Sequence, residues 1–302
     1  MHKTAFVFSG QGSQYEGMGK SLLEKYSFSE RYFERASDIL HIDAKYLCCD
    51  ATIQELSETK VSQPAILLIS YLNYLAYCEE YEEKPVFYAG HSLGEYTALL
   101  SAGVIDFDEC MRLIGKRADI MQQAAEFTDG TMLVVISSNE INKIITHVRQ
   151  SRIQGKEVYI GCFNSSSQIV LSGNSYEISQ LAKKIEETKL GRIIKLKVNG
   201  AFHSGLMSEA RKRFAKVIEK ATFNQLPRDS YIISNVSGEP YRSEEELQKE
   251  LIDQLTQPVH WLKSVRYMKD AGVDSIIEFG AKATLTSLIR QEVVCDVRQY
   301  RA

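Results

Sequence analysis

This chain of 302 residues has no excess of positive charge: 36 lysines and arginines stand against 39 acids, for a net charge of −3. That balance excludes general nucleic-acid binding as its main occupation. It has no apolar run fit to span a bilayer, since the longest, Pro64 to Tyr77, is too short and too polar. It has no signal-peptide pattern, and Met1 leads almost directly into a strand. The cysteines Cys48, Cys49, Cys78, Cys110, Cys162 and Cys295 make no C-x-x-C pair and no zinc spacing, so no metal centre is expected. They read as reduced thiols of a cytoplasmic protein, with adjacent Cys48 and Cys49 as packing residues. Long repeats and low-complexity segments are absent. What is present is ordinary globular composition, 44% hydrophobic and 25% charged, with enough chain for one large domain and a smaller one.

The stretch that organises the chain is Val86 to Leu99, which begins as a buried strand and ends as a helix around Gly90-His91-Ser92-Leu93-Gly94. This matches the G-x-S-x-G nucleophile elbow, whose sharp turn holds a serine in a strained conformation clear of its neighbours. Gly90 and Gly94, without β-carbons, allow strand and helix to approach. Ser92 stands at a helix N-terminus, where free N–H groups favour developing negative charge. The residues before the motif favour a strand and those after it favour a helix, as the motif requires.

In chain order, Thr4 to Phe8 is a short buried strand running into the polar loop Ser9 to Gln14 and a helix near Met18 to Lys25. A loop there is placed either as a plain turn or to bring Gln11 beside the elbow as half of an oxyanion hole with the N–H of Leu93. Residues 28–50 read as one helix and a connection. Ser62-Gln63-Pro64 reads as a helix start, with Pro64 in the first turn and a buried helix running to Tyr77. Asp106 to Ala125 is an amphipathic helix carrying Arg117, for which a solvated face is the ordinary reading. From Thr131 the order strand, helix, strand, strand, helix, strand to Val198 is the ferredoxin-like pattern. The chain returns to the main body at Asn199 and reaches Ala201-Phe202-His203-Ser204, where His203 is the histidine best placed for a cleft between subdomains. Helices follow over 205–223, 244–257, 261–269 and 284–290, with strands at 230–235 and 275–279. From Lys183 to Lys220, eleven lysines and arginines face four acids. This reads as solvated helix faces or as a basic rim that attracts a phosphorylated cofactor or an acidic protein. These elements predict an α/β fold: an α/β-hydrolase-like large subdomain (1–128 and 199–302) with an inserted ferredoxin-like small subdomain (129–198).

Taken together, Gly10-Gln11-Gly12-Ser13-Gln14, Ser62-Gln63-Pro64-Ala65, Gly90 to Tyr96, Arg117 with Met121, Ala201 to Ser204, and Pro258-Val259 with Trp261 resemble the malonyl-CoA:acyl carrier protein transacylases from end to end. Leu47-Cys48-Cys49-Asp50 followed by Ser62 to Ala65 looks closest to stand-alone acyltransferases that serve polyketide synthases in trans. The resemblance implies Ser92 as nucleophile and His203 as the base that takes and returns its proton. It implies Gln11 and the Leu93 N–H as the oxyanion hole, and the backbone carbonyl of Gln254 as the group that orients the histidine. Arg117 is then the partner of the free malonyl carboxylate; the resemblance alone reverses its ordinary reading. Gln63, His91, Asn164, Gln168 and Phe202 fall on the substrate side. Malonyl-CoA is the implied substrate, a phosphopantetheinylated acyl carrier protein the implied partner, and a monomer without a permanently bound cofactor the expected state. No nucleic acid or membrane enters.

Two departures stand out. Ser9 replaces a common proline, and Gly280-Ala281-Lys282 replaces a Gly-Pro-Gly loop, which puts that loop's contacts in question. The same architecture also serves a fatty-acid-pathway transacylase and a hydrolase that clears stalled carrier proteins. A non-catalytic docking subunit sits poorly with an intact Ser92, His203 and Gln11.

Overall fold

A computed structural model describes residues 2–198 and 200–302. Among these the chain has nine strands: β1 (Thr4–Phe8), β2 (Phe87–Gly90), β3 (Gly130–Ile136), β4 (Val158–Ser165), β5 (Gln168–Asn174), β6 (Arg192–Lys195), β7 (Tyr231–Ile232), β8 (Ser275–Phe279) and β9 (Asp296–Tyr300). Five form a sheet in the order β7-β2-β1-β8-β9, with every pairing parallel. Residues of β1 and β8 are buried without alternation, as a parallel sheet covered on both faces requires. The other four form an antiparallel sheet in the order β4-β5-β3-β6. This is the expected ferredoxin-like arrangement, with the helices Ile141–Ile153 and Ser175–Glu187 in its two crossovers. The expected return of the chain to the main body falls on Asn199, outside the described residues.

The small sheet has two working faces because side chains alternate along a strand. Leu133 and Val135 of β3 pack with Ile144, Val148, Ile178 and Ile185 of the two helices in a separate core. Met132 and Val134, one residue out of phase, line a cavity instead. Opposite them end β1 and β2, so the cavity opens at the carboxyl ends of the parallel strands, where α/β sheets place their ligands.

Several local expectations are corrected. Residues 28–50 form two helices, Phe28–Leu40 and Ala44–Cys49. His41 breaks them with a left-handed φ of 54°, and the Asp43 side chain caps the second by accepting from the Tyr46 N–H at 2.8 Å. The helix expected to start at Ser62 runs Thr59–Glu80, with Pro64 inside it. The ring removes the hydrogen bond to the Lys60 carbonyl, but Lys60 is exposed and water can serve that group. The stretch 205–223 is a short 3₁₀ turn, Gly205–Met207, and a helix Ser208–Ile218. The expected strand 230–235 is ladder-paired only at Tyr231 and Ile232. Strand β9 was not expected, because Asp296, Arg298 and Gln299 make it polar, as an edge strand tolerates. The thiols are all unpaired among the described residues, and Cys48 and Cys49 lie in the core.

The departure at Ser9 and the altered loop 280–282 meet at one buried carboxylate. Glu278 is wholly buried on β8. It accepts from Ser9 Oγ at 2.7 Å and from the N–H groups of Thr284, Leu285 and Thr286 at 2.7–2.9 Å. A β-carbon at Gly280 would stand 2.2 Å from Ser9 Oγ. Ser9, packed against Gly280 and donating to Glu278 and to the Lys282 carbonyl, therefore helps tie the altered loop onto that carboxylate. That loop delivers Thr284 and Leu285 to the cavity wall.

Candidate active site

The elbow is built as its glycines require. A β-carbon on Gly90 would lie 2.0 Å from the Gly94 backbone, and one on Gly94 2.2 Å from the Phe8 carbonyl. Between them Ser92 takes a left-handed φ of 53°, a conformation that costs a non-glycine residue about 1–3 kcal/mol. Asn235, beyond β7, holds the turn on both sides. Its Oδ1 accepts from the Ser92 N–H at 2.6 Å and its Nδ2 donates to the Gly90 carbonyl at 2.6 Å.

His203 is buried and also left-handed, with φ 58°. Its Nε2 lies 2.9 Å from Ser92 Oγ, and its Nδ1 lies 2.7 Å from the Gln254 carbonyl oxygen. A carbonyl only accepts, so Nδ1 carries the proton and Nε2 turns its lone pair to the serine. Burial pushes the His203 pKa down to about 3, and the neighbouring Arg117 charge adds to this. The imidazole is therefore a neutral base in the resting protein. The unfolded chain, titrating near 6.5, binds the extra proton, so this residue's contribution is complete above pH 6.5 and is lost as the pH falls toward 3. The slope is about 1.4 kcal/mol per pH unit. Thermal melts should show the native protein losing stability below pH 6.5 more steeply than His203→Ala. Parallel curves would reject this assignment.

Arg117, from the helix Phe107–Glu126, is wholly buried rather than solvated. Its Nη1 donates to Gln63 Oε1 at 2.6 Å, and its Nη2 donates to Gln254 Oε1 at 2.7 Å and Ser92 Oγ at 3.0 Å. The guanidinium lies over the Tyr96 ring, 5.5 Å from its centre, and its Nε has no partner among the described residues. Arg117 does not itself line the cavity; Gln63, which covers Nη1, does. The guanidinium is thus one layer behind the wall, reached by moving Gln63 or by displacing its contact with Ser92.

The cavity holds about 240 Å³. Ser92, His91, His203 and Gln11 stand on the large-sheet side, and Met132, Val134 and Cys162 on the small-sheet side. Among the described residues, neither the Gln11 nor the Leu93 backbone N–H makes a hydrogen bond, leaving two donors free, one on a residue of the cavity wall and one on the residue after Ser92. The Gln11 side chain turns away to Thr59 Oγ1 at 3.3 Å. His91 points away from the serine. Its Nε2 meets Asn164 Oδ1 at 2.9 Å, and Asn164 Nδ2 donates to Gln168 Oε1 at 2.9 Å, a chain of contacts from the elbow to β4 and β5. Burial pushes the His91 pKa down. Phe202 is buried against the cavity, with its carbonyl accepting from Ser172 Oγ at 2.6 Å.

All the residues singled out in the sequence except Arg117, Leu93 and Gln254 line the cavity, and those three stand directly behind Ser92. Sequence reasoning missed Asn235, Glu95, Tyr241 and the side-chain role of Gln254. Only Glu95 left a local signal, the one charged residue of the buried helix Gly94–Ser101.

Comparison with known proteins places these features in company. The family described as acyl transferase domain matches residues 5–301. A malonyl CoA-acyl carrier protein transacylase of Bacillus subtilis is 38% identical over 96% of this chain and 72% of its own length. The polyketide biosynthesis malonyl CoA-acyl carrier protein transacylase PksC of Bacillus subtilis strain 168 is 34% identical over 95% of this chain and 96% of its own. A solved structure described as a type II PKS acyl-carrier protein in complex with its malonyl-transacylase superposes with a TM-score of 0.91 at 32% identity, covering 99% of this chain and 96% of that one.

Proposed function

Because the chain belongs to the acyl transferase domain family, we propose that its site works as an acyl-enzyme machine with Ser92 as nucleophile. The protein is a malonyl-CoA:acyl carrier protein transacylase. The observation that carries the residue assignments is Ser92 Oγ held between His203 Nε2 at 2.9 Å and Arg117 Nη2 at 3.0 Å.

Ser92 Oγ attacks the thioester carbonyl carbon of malonyl-CoA while its proton passes to His203 Nε2. The Gln254 carbonyl, accepting from Nδ1–H, stabilises the imidazolium formed. The carbonyl oxygen becomes an oxyanion facing the free N–H groups of Gln11 and Leu93. Collapse breaks the C–S bond, and His203 returns the proton to the departing CoA thiol. The phosphopantetheine thiol of the carrier protein then repeats the sequence in reverse on the Ser92 ester. The malonyl carboxylate seats on Arg117, replacing the Gln63 amide oxygen as acceptor, and the planar guanidinium suits it. Asn164, Gln168, His91 and Phe202 wall the acyl site.

Residues 129–198 are assigned to the small subdomain and the remainder to the large one; β3 to β6 all fall within 129–198. The working unit is proposed to be a monomer. The likeness to PksC along nearly its whole length supports service to a polyketide synthase in trans.

Intact-protein mass spectrometry after mixing with malonyl-CoA, acetyl-CoA or methylmalonyl-CoA tests the reading. A malonyl adduct is expected that disappears on adding a holo carrier protein, faster with a polyketide carrier than with a fatty-acid one. Rapid CoA release from acetyl-CoA with no malonyl adduct would instead mark a hydrolase.

A further inference from the structure

Glu95 takes no part in the steps above, yet it is wholly buried at the heart of the site. Its Oε1 accepts from the Asn235 N–H at 2.8 Å and the Tyr241 hydroxyl at 2.6 Å, and its Oε2 accepts from Gln254 Nε2. Burying a carboxylate is costly unless its lone pairs are met, and here three donors from two distant segments meet them. Burial raises the Glu95 pKa to about 7; above that pH the group is a carboxylate, which offers only acceptors, so the Gln254 amide turns its NH₂ to Glu95. That orientation leaves Gln254 Oε1 facing Arg117 Nη2 at 2.7 Å, while the same NH₂ also reaches the Ser92 carbonyl at 3.1 Å.

We propose that Glu95 is a positioning residue: it sets the polarity of the Gln254 amide, and through that amide the seat of Arg117, so it determines the preference for acyl groups that carry a carboxylate. This rests on the reading that Arg117 receives the malonyl carboxylate. Gln254 has two separable duties. Its backbone carbonyl serves His203, while its side chain serves Arg117. Only the second depends on Glu95. The Glu95 charge also acts on the guanidinium across the amide, opposing the effect of burial on it. A glutamine at position 95 would keep an oxygen for Asn235 and Tyr241 but present NH₂ to Gln254. The Gln254 amide would then reverse and turn its own NH₂ toward Arg117, donor against donor.

The experiment measures kcat/KM for loading from malonyl-CoA and from acetyl-CoA in the native protein, Glu95→Gln, Gln254→Ala and the double variant. Glu95→Gln is expected to lower the malonyl-to-acetyl ratio about tenfold, mostly through a raised KM for malonyl-CoA. In the Gln254→Ala background the same change should move the ratio little, since the amide it acts through is gone. Equal losses for both substrates, or effects on the ratio that multiply in full, would overturn the proposal. If Glu95→Gln does not fold, Glu95→Asp retains charge and acceptors but withdraws the carboxylate from Gln254, and an unchanged ratio there overturns it equally. Arg117→Ala in parallel separates the two levels. A shifted ratio in that variant with none at Glu95 rejects this inference alone, whereas no shift in either rejects the carboxylate seat itself.

Discussion

Ser92→Ala is expected to abolish the acyl-enzyme: after mixing with malonyl-CoA the intact mass stays that of the free chain. Transfer to a carrier protein should fall by about four orders of magnitude or more. The reason is geometric. The Oγ is the atom that His203 Nε2 faces at 2.9 Å, on a residue held left-handed at the cavity wall by two Asn235 hydrogen bonds. Alanine preserves that backbone and the free Gln11 and Leu93 N–H groups, so substrate can still enter, but no covalent route remains. Alanine at an αL position is no less strained than serine, so the folded protein should retain its melting temperature to within a few degrees. A labelled malonyl group that still attaches to this variant would remove Ser92 from the mechanism.

Arg117→Ala should separate substrates rather than stop the reaction. Loading from malonyl-CoA is expected to drop by about two to three orders of magnitude in kcat/KM, the value of two charge-assisted hydrogen bonds in a buried site. Loading from acetyl-CoA, with no carboxylate to seat, should fall about tenfold or less. Some loss is expected even there, because the change strips a donor from Ser92 Oγ and leaves the oxygens of Gln63 and Gln254 without their partner. One effect runs the other way: the guanidinium charge helps hold the His203 pKa down, so its removal makes that base stronger. The pH profile of residual acetyl loading should therefore shift to higher pH for its acid limb. Equal losses for the two acyl groups would sink the carboxylate seat.

The conformations that matter most are those the chain adopts against its own preference. Ser92 and His203 both sit at positive φ, and both are held there by hydrogen bonds to residues far along the chain, Asn235 and Gln254. Strain at such positions persists only where the surroundings over-determine it. Asn235, Gln254 and Glu95, all buried, form that support behind the elbow.

Sequence alone determined what depends on neighbours. The short apolar runs of β1 and β3 mark buried strands, and the elbow follows from the G-x-S-x-G pattern between strand-forming and helix-forming residues. The βαββαβ order of 130–195 was readable for the same reason, since each element carries its own period. Local signals failed where a distant group decides. The helix Thr59–Glu80 starts ahead of a proline that falls in its second turn, and β9 is polar because it is an edge. Only the tertiary structure brought residues 92, 117, 203 and 254 within hydrogen-bonding distance of one another, and only it showed that Arg117 lies behind Gln63 rather than open to the cavity. Asn235 and Tyr241 carry no motif at all; they act by accepting or donating to groups some 140 positions away. A hydrogen bond across such a separation leaves no periodicity or spacing in the chain, because its geometry exists only once the parallel sheet has brought β2 and β7 side by side.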